Sequence, residues 1–107
     1  MNRFDDLLQR VSLLNAQLAH VAHHIGSDAR MTLYRQLWRI VDQLNQELAL
    51  GLDNSALDLN VIDERLAIRY FSGVAGSADE EITLFIDRSR RVERHTKNLT
   101  TGNVTVT

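Results

Sequence analysis

Residues 50–60 read LGLDNSALDLN, and the period of the apolar pattern changes inside them. Before this stretch apolar residues recur every three to four positions, the spacing of one helix face. After it they recur at every second position, as on a half-buried strand. Gly51, Asp53, Asn54 and Ser55 punctuate the change. The expected fold class is α+β: a long N-terminal antiparallel helical hairpin followed by an antiparallel β-meander of three to five strands. The hairpin is expected over residues 3–51 and the meander over 56–107, in a single domain of 107 residues.

Working back from the change of period, Phe4, Leu7, Val11, Leu14, Leu18, Val21 and Ile25 alternate three and four apart. That is an a/d seam. Leu8 and Ala22 widen it, and Asn15 interrupts the widened flank. Gly26 is expected to close this helix in the left-handed conformation, with Ser27 or Asp28 capping the next. In the second helix Tyr34, Leu37, Val41, Leu44 and Leu48 continue the seam, with Leu33 and Ile40 beside it. Met31 and Trp38 extend the stripe on its other side. One partner helix cannot cover a stripe so wide, so the rest of the chain, a second copy or a different partner must lie on it. A homodimer through the hairpin is the expectation.

Working forward, Leu57, Leu59 and Val61 alternate with polar residues, and Asp63-Glu64 is read as a turn. Leu66, Ile68 and Tyr70 then alternate with Ala67, Arg69 and Phe71, and Ile82, Leu84 and Ile86 share one face of a later strand. SGVAGSADEE, residues 72–81, is read as a loop between them. RSRR at 88–91 is a polar turn, and VERHTKN at 92–98 a fourth strand with Val92 as its only apolar residue. The ending LTTGNVTVT is a last strand or a frayed tail. Its Val/Thr alternation, free of lysine and proline, suits pairing with a partner's sheet edge.

Composition narrows the chemistry. The absence of cysteine excludes disulfides, thiolate zinc sites and cysteine nucleophiles. Net charge is −2, so no global field recruits nucleic acid or membrane. No stretch approaches the ~20 apolar residues of a bilayer span. The opening MNRFDDLLQR has no apolar signal core, so the Asn-x-Thr sequons at Asn98 and Asn103 follow no secretory signal. The expected address is the cytoplasm of a bacterium or of a virus that infects one.

His20, His23 and His24 are the one concentration of metal-binding side chains. His20 and His24 have the i, i+4 spacing that grips one ion, but Val21 stands where an HExxH metallopeptidase needs glutamate. The seam puts His20 and His23 away from the apolar stripe and His24 on its flank. The favoured reading is the polar end of a helix, where protonated histidines suit the dipole. A surface metal or a pH-sensitive contact at His24 is the sharper alternative.

Arg88, Arg90, Arg91, Arg94, His95 and Lys97 crowd into ten residues, against only Glu93. Residues 53–87 carry eight acids and two arginines, so the C-terminal section is split in charge. A basic strand–turn–strand can bind phosphates, but this cluster lacks the aromatics that stack single-stranded bases. An acidic protein surface, such as the SADEE stretch of another copy, is an equally good target, and a simple solvated turn is the plainest reading. Asp5-Asp6 and Asp79-Glu80-Glu81 read as helix-capping or solvated acids, and there is no nucleophile elbow, Walker loop or dinucleotide fingerprint.

The expected function is a non-enzymatic protein-interaction module, an adaptor, chaperone or inhibitor, without cofactor, metal or catalytic residues. Its partner-binding residues are Tyr34 and Trp38 for apolar contact and Arg88, Arg90, Arg91 and Arg94 for charge. The alternatives are a nucleic-acid-binding protein using the arginine-rich turn 88–97 and a small metal-dependent enzyme using the histidines at 20–24.

Overall fold

The computed structural model describes residues 3–21, 27–52, 57–74 and 77–107. The expected Gly26 cap, His23, His24 and the Asp53-Asn54-Ser55 punctuation lie outside the described residues. Two helices are followed by five antiparallel strands. Met1–Gly51 and Leu52–Thr107 form two compact units, and their boundary falls inside the stretch where the apolar period changes.

The first unit holds α1 (Arg3–Val21) and α2 (Ser27–Leu48). Their 19 and 22 residues correspond to about 28 and 33 Å of helix. Asp5 and Asp6 stand in the first turn of α1 and Asp28 in that of α2, where the dipole favours carboxylates. Phe4, Leu8, Val11 and Leu14 are buried on α1, and Leu37, Ile40, Val41 and Leu44 on α2. The deepest line on α1 therefore runs through Leu8, and Leu7 is only half-buried. At the end of α2 the Leu50 N–H donates to the Asn45 carbonyl at 3.3 Å. Ala49 adopts φ 51° there, so an alanine occupies the left-handed position that usually falls to glycine.

The second unit is a meander in spatial order β1-β2-β3-β4-β5, comprising β1 (Asp58–Ile62), β2 (Arg65–Val74), β3 (Ser77–Ile86), β4 (Val92–Asn98) and β5 (Val104–Val106). Register carries the period-two pattern across the sheet: Leu59 pairs with Ile68, Ile68 with Leu84, and Leu66 with Ile86. These five side chains and Ile82 are buried on one face. Ala67, Arg69, Phe71, Phe85, Glu93, His95 and Lys97 alternate onto the other face.

The expected loop at 72–81 is corrected by the structure. β2 continues to Val74 and β3 starts at Ser77, so paired strand occupies every described residue of that stretch. Glycine, serine, alanine and acids have weak strand preference, but pairing with a neighbour overrides it. A register shift at Ser72/Gly73 makes this possible: Ser72 pairs with Glu80 and Gly73 with Ala78. Asp79 is the extra residue of this bulge, and its carbonyl accepts the Leu99 N–H at 3.0 Å.

The turns have distinct chemistry. Ile62 pairs with Arg65, and the two residues between them, Asp63 and Glu64, have φ 52° and 60°. This is a type I′ turn whose second residue is normally glycine. Glu64→Gly is expected to raise stability by about 0.5–1 kcal/mol, the relief of left-handed strain less the added entropy of the unfolded chain. An upward shift of the thermal midpoint checks it. In the β4–β5 turn the Asn98 side-chain oxygen accepts the N–H groups of Thr100 and Thr101, at 2.9 and 3.0 Å. Gly102 provides the left-handed residue, at φ 77°, and β5 forms as a native strand.

Candidate interaction surfaces

In the helical unit the seam is buried unevenly. Toward the open end of the hairpin, residues 4–14 and 37–44 supply every buried side chain among the described residues of this unit. Toward the turn, Leu18, Val21, Leu33 and Tyr34 continue the same pattern but are only half-buried. An open cleft of about 550 Å³ lies there, lined by Ala16, Gln17, His20, Val21, Ala29, Thr32 and Leu33. Trp38 is 44% exposed and stacks on Tyr34 with ring centroids 6.0 Å apart, while Met31, one helical repeat earlier, is 40% exposed. The i, i+4 spacing of Tyr34 and Trp38 brings the two rings together on one side of α2. Both apolar residues singled out in the sequence therefore sit together on accessible surface.

The four arginines do not form one patch. Arg88 and Arg91 are exposed and Arg90 is half-buried in the β3–β4 turn. This turn is built on Asp87: its carbonyl accepts the Arg90 N–H at 2.9 Å, and its side-chain oxygen accepts those of Ser89 and Arg91, each at 2.9 Å. Arg90 takes φ 65°, so its side chain leaves the backbone in a different direction from its neighbours'. Arg94 stands opposite Leu84, on the face of the buried Leu and Ile residues. His95 and Lys97 alternate with it onto the opposite face.

That opposite face carries a cluster with no counterpart among the sequence motifs. The Arg65 guanidinium sits 4.3 Å from the centre of the Phe85 ring. His95 approaches the same ring edge-on, with centroids 4.6 Å apart. Glu93 bridges the two, 3.2 Å from Arg65 and 3.0 Å from the His95 Nε2. Beside it, Arg69 lies 2.6 Å from Asp58 and 3.9 Å from Glu81, and Lys97 stands opposite Glu81 in register. The Asp58 hydrogen bond and charge hold the Arg69 guanidinium even more firmly protonated than an ordinary arginine. With its pKa raised, the stabilisation is complete at neutral pH and fades only in strong alkali. The pair is half-exposed, so it fixes side-chain geometry more than it stabilises the fold. Phe71 on the same face is 48% exposed. Each cation named on this face except the β4 lysine is in contact with a carboxylate, which leaves little net field for a polyanion.

The chain matches no family model, no curated protein and no solved structure. The surfaces must therefore be judged on their own chemistry. Among the described residues no group of three or more His, Asp and Glu side chains could hold a metal ion, and His23 and His24 lie outside them. Also among the described residues, no helix is long and apolar enough to cross a membrane.

Proposed function

We propose that this chain is a non-enzymatic, cytoplasmic protein-interaction module that pairs with a second copy through its helical hairpin and binds another protein. In this reading Trp38, Tyr34 and Met31 supply the apolar contact, and Arg88, Arg90, Arg91 and Arg94 contribute positive charge toward an acidic partner. One observation carries the reading: the apolar seam of the hairpin is buried at its open end and left accessible beside its turn, next to a stacked Tyr34–Trp38 pair. Exposed aromatic side chains flanked by other apolar groups are the usual anchors of protein interfaces. Charge at the edge of such a contact sets orientation and association rate more than affinity.

The nucleic-acid alternative finds less support. Strand alternation divides the basic cluster between two faces of the sheet, and carboxylates meet Arg65, Arg69 and His95. Affinity capture from the source cells separates the two readings. With wild-type chain as bait, one protein is expected to be enriched whether or not nuclease is present, and to be lost with Trp38→Ala. Loss on nuclease treatment, with no effect of Trp38→Ala, would overturn the reading in favour of nucleic acid.

A further inference from the structure

The two edges of the sheet are built differently, and we infer from this that β5 pairs edge to edge with β5 of a second copy. On the β1 side the edge is guarded. Ile62 and Arg65 close a two-residue hairpin, so Ile62, Asn60 and Asp58 direct their backbone groups toward β2 while Val61 and Leu59 direct theirs outward. The outward N–H of Val61 is occupied by the Asn60 side-chain oxygen at 2.9 Å. Asp58 adds a charge at the strand's end, held by Arg69. Polar side chains that consume edge groups, and charges beside them, are standard obstacles to edge pairing.

On the β5 side neither obstacle is present. Arg94 and Thr107 exchange both backbone hydrogen bonds, at 3.1 and 2.8 Å, and the Asn98 N–H reaches the Asn103 carbonyl at 2.8 Å. The antiparallel alternation then turns Thr105 inward as well, and leaves the N–H and C=O of Val104 and Val106 pointing away from the sheet. No hydrogen bond among the described residues reaches those four groups. Val104 and Val106 are also 57% and 52% exposed, and β5 carries no charge, proline or lysine.

The occupant follows from symmetry. An antiparallel β5 placed with Thr105 on a two-fold axis sets Val104 opposite the partner's Val106 and Val106 opposite the partner's Val104. Both are hydrogen-bonding pairs, so all four outward groups on each strand find partners. The valines meet on one face, and the Thr105 side chains meet on the other, where threonines pair favourably across strands. No like charges are brought together. This pairing is independent of the hairpin contact, so a chain that forms both assembles beyond a dimer.

Amide hydrogen exchange across a concentration series tests the inference, together with sedimentation. Val106→Pro removes one outward N–H while sparing the bonds between β4 and β5. Val106→Lys is a second variant that keeps the backbone intact. In wild type the Val104 and Val106 amides should gain about tenfold protection between micromolar and millimolar protein, while Thr105 is protected throughout. The Val104 gain should persist in Trp38→Ala and vanish in both Val106 variants, and a chain carrying Trp38→Ala and Val106→Pro together should sediment as a monomer. Exchange at Val104 and Val106 that does not depend on concentration would overturn the inference. So would a gain abolished by Trp38→Ala, or one that survives in both Val106 variants.

Discussion

Replacing Phe4 by alanine is expected to destabilise the helical unit by about 3–5 kcal/mol, the usual cost of truncating a fully buried aromatic side chain. Phe4 is 1% exposed although it stands in the first turn of α1, where helices ordinarily fray. Its ring begins the buried line that continues through Leu8 and Val11. In an antiparallel hairpin it lies at the level of the last turns of α2, where Leu44 is also fully buried. Removing it leaves a void at the end of the hairpin that holds the buried residues described in this unit. Trp38 is the only tryptophan, so its fluorescence follows the hairpin, and urea unfolding read at that wavelength measures the loss. Leu13, exposed on the same helix, provides the control: Leu13→Ala should change stability by less than about 0.5 kcal/mol.

The second large effect is expected at Ile68. This residue is completely buried, with Leu59 on one neighbouring strand and Leu84 on the other. Ile68→Ala deletes methyl groups at the middle of a three-strand row whose other members are held in place by their own ladders. The site cannot collapse around the cavity, so a loss of about 2–5 kcal/mol is expected. Ile62→Ala, at an exposed position at the end of β1, should stay within about 0.5 kcal/mol. Denaturant unfolding followed by far-ultraviolet circular dichroism distinguishes the two. Equal effects would mean that the register described for β1 to β3 is wrong.

What the sequence reveals here depends on how local the cause is. The hairpin is legible because Phe4 to Val21 and Tyr34 to Leu48 repeat their spacing over several turns, and each repeat reinforces the same face. The alternation of Leu66, Ile68 and Tyr70 marks a strand for the same reason. The stretch from Ser72 to Glu81 is not legible, because Val74 is its only residue that favours a strand. Pairing between β2 and β3 and the bulge at Asp79 impose one on it. The turn at Asp63-Glu64 is legible, but its left-handed backbone, like that of Ala49, is not, since neither glutamate nor alanine ordinarily marks such a position.

The surfaces divide along the same line. Tyr34 and Trp38 are adjacent in the helical period, so their pairing can be read directly. The arginine run looks continuous in sequence, but a period of two sends Arg94 to one face and His95 to the other. The Arg65–Phe85–Glu93–His95 cluster draws on three strands, and Arg65 and Glu93 lie 28 positions apart. Only the strand register brings them together. Once β2, β3 and β4 are assigned, alternation alone places all four on one face, and that is the signal by which the cluster could have been found.

The claim that the hairpin is an interaction surface rests on apolar seam left accessible beside the turn, and the mass of the protein in solution tests it most directly. Light scattering at micromolar concentration should give at least the dimer mass for the wild-type chain. The hairpin contribution should be lost in Trp38→Ala, leaving the doubly substituted Trp38→Ala, Val106→Pro chain at the monomer mass. A wild-type chain that stays at the monomer mass at these concentrations would contradict the account.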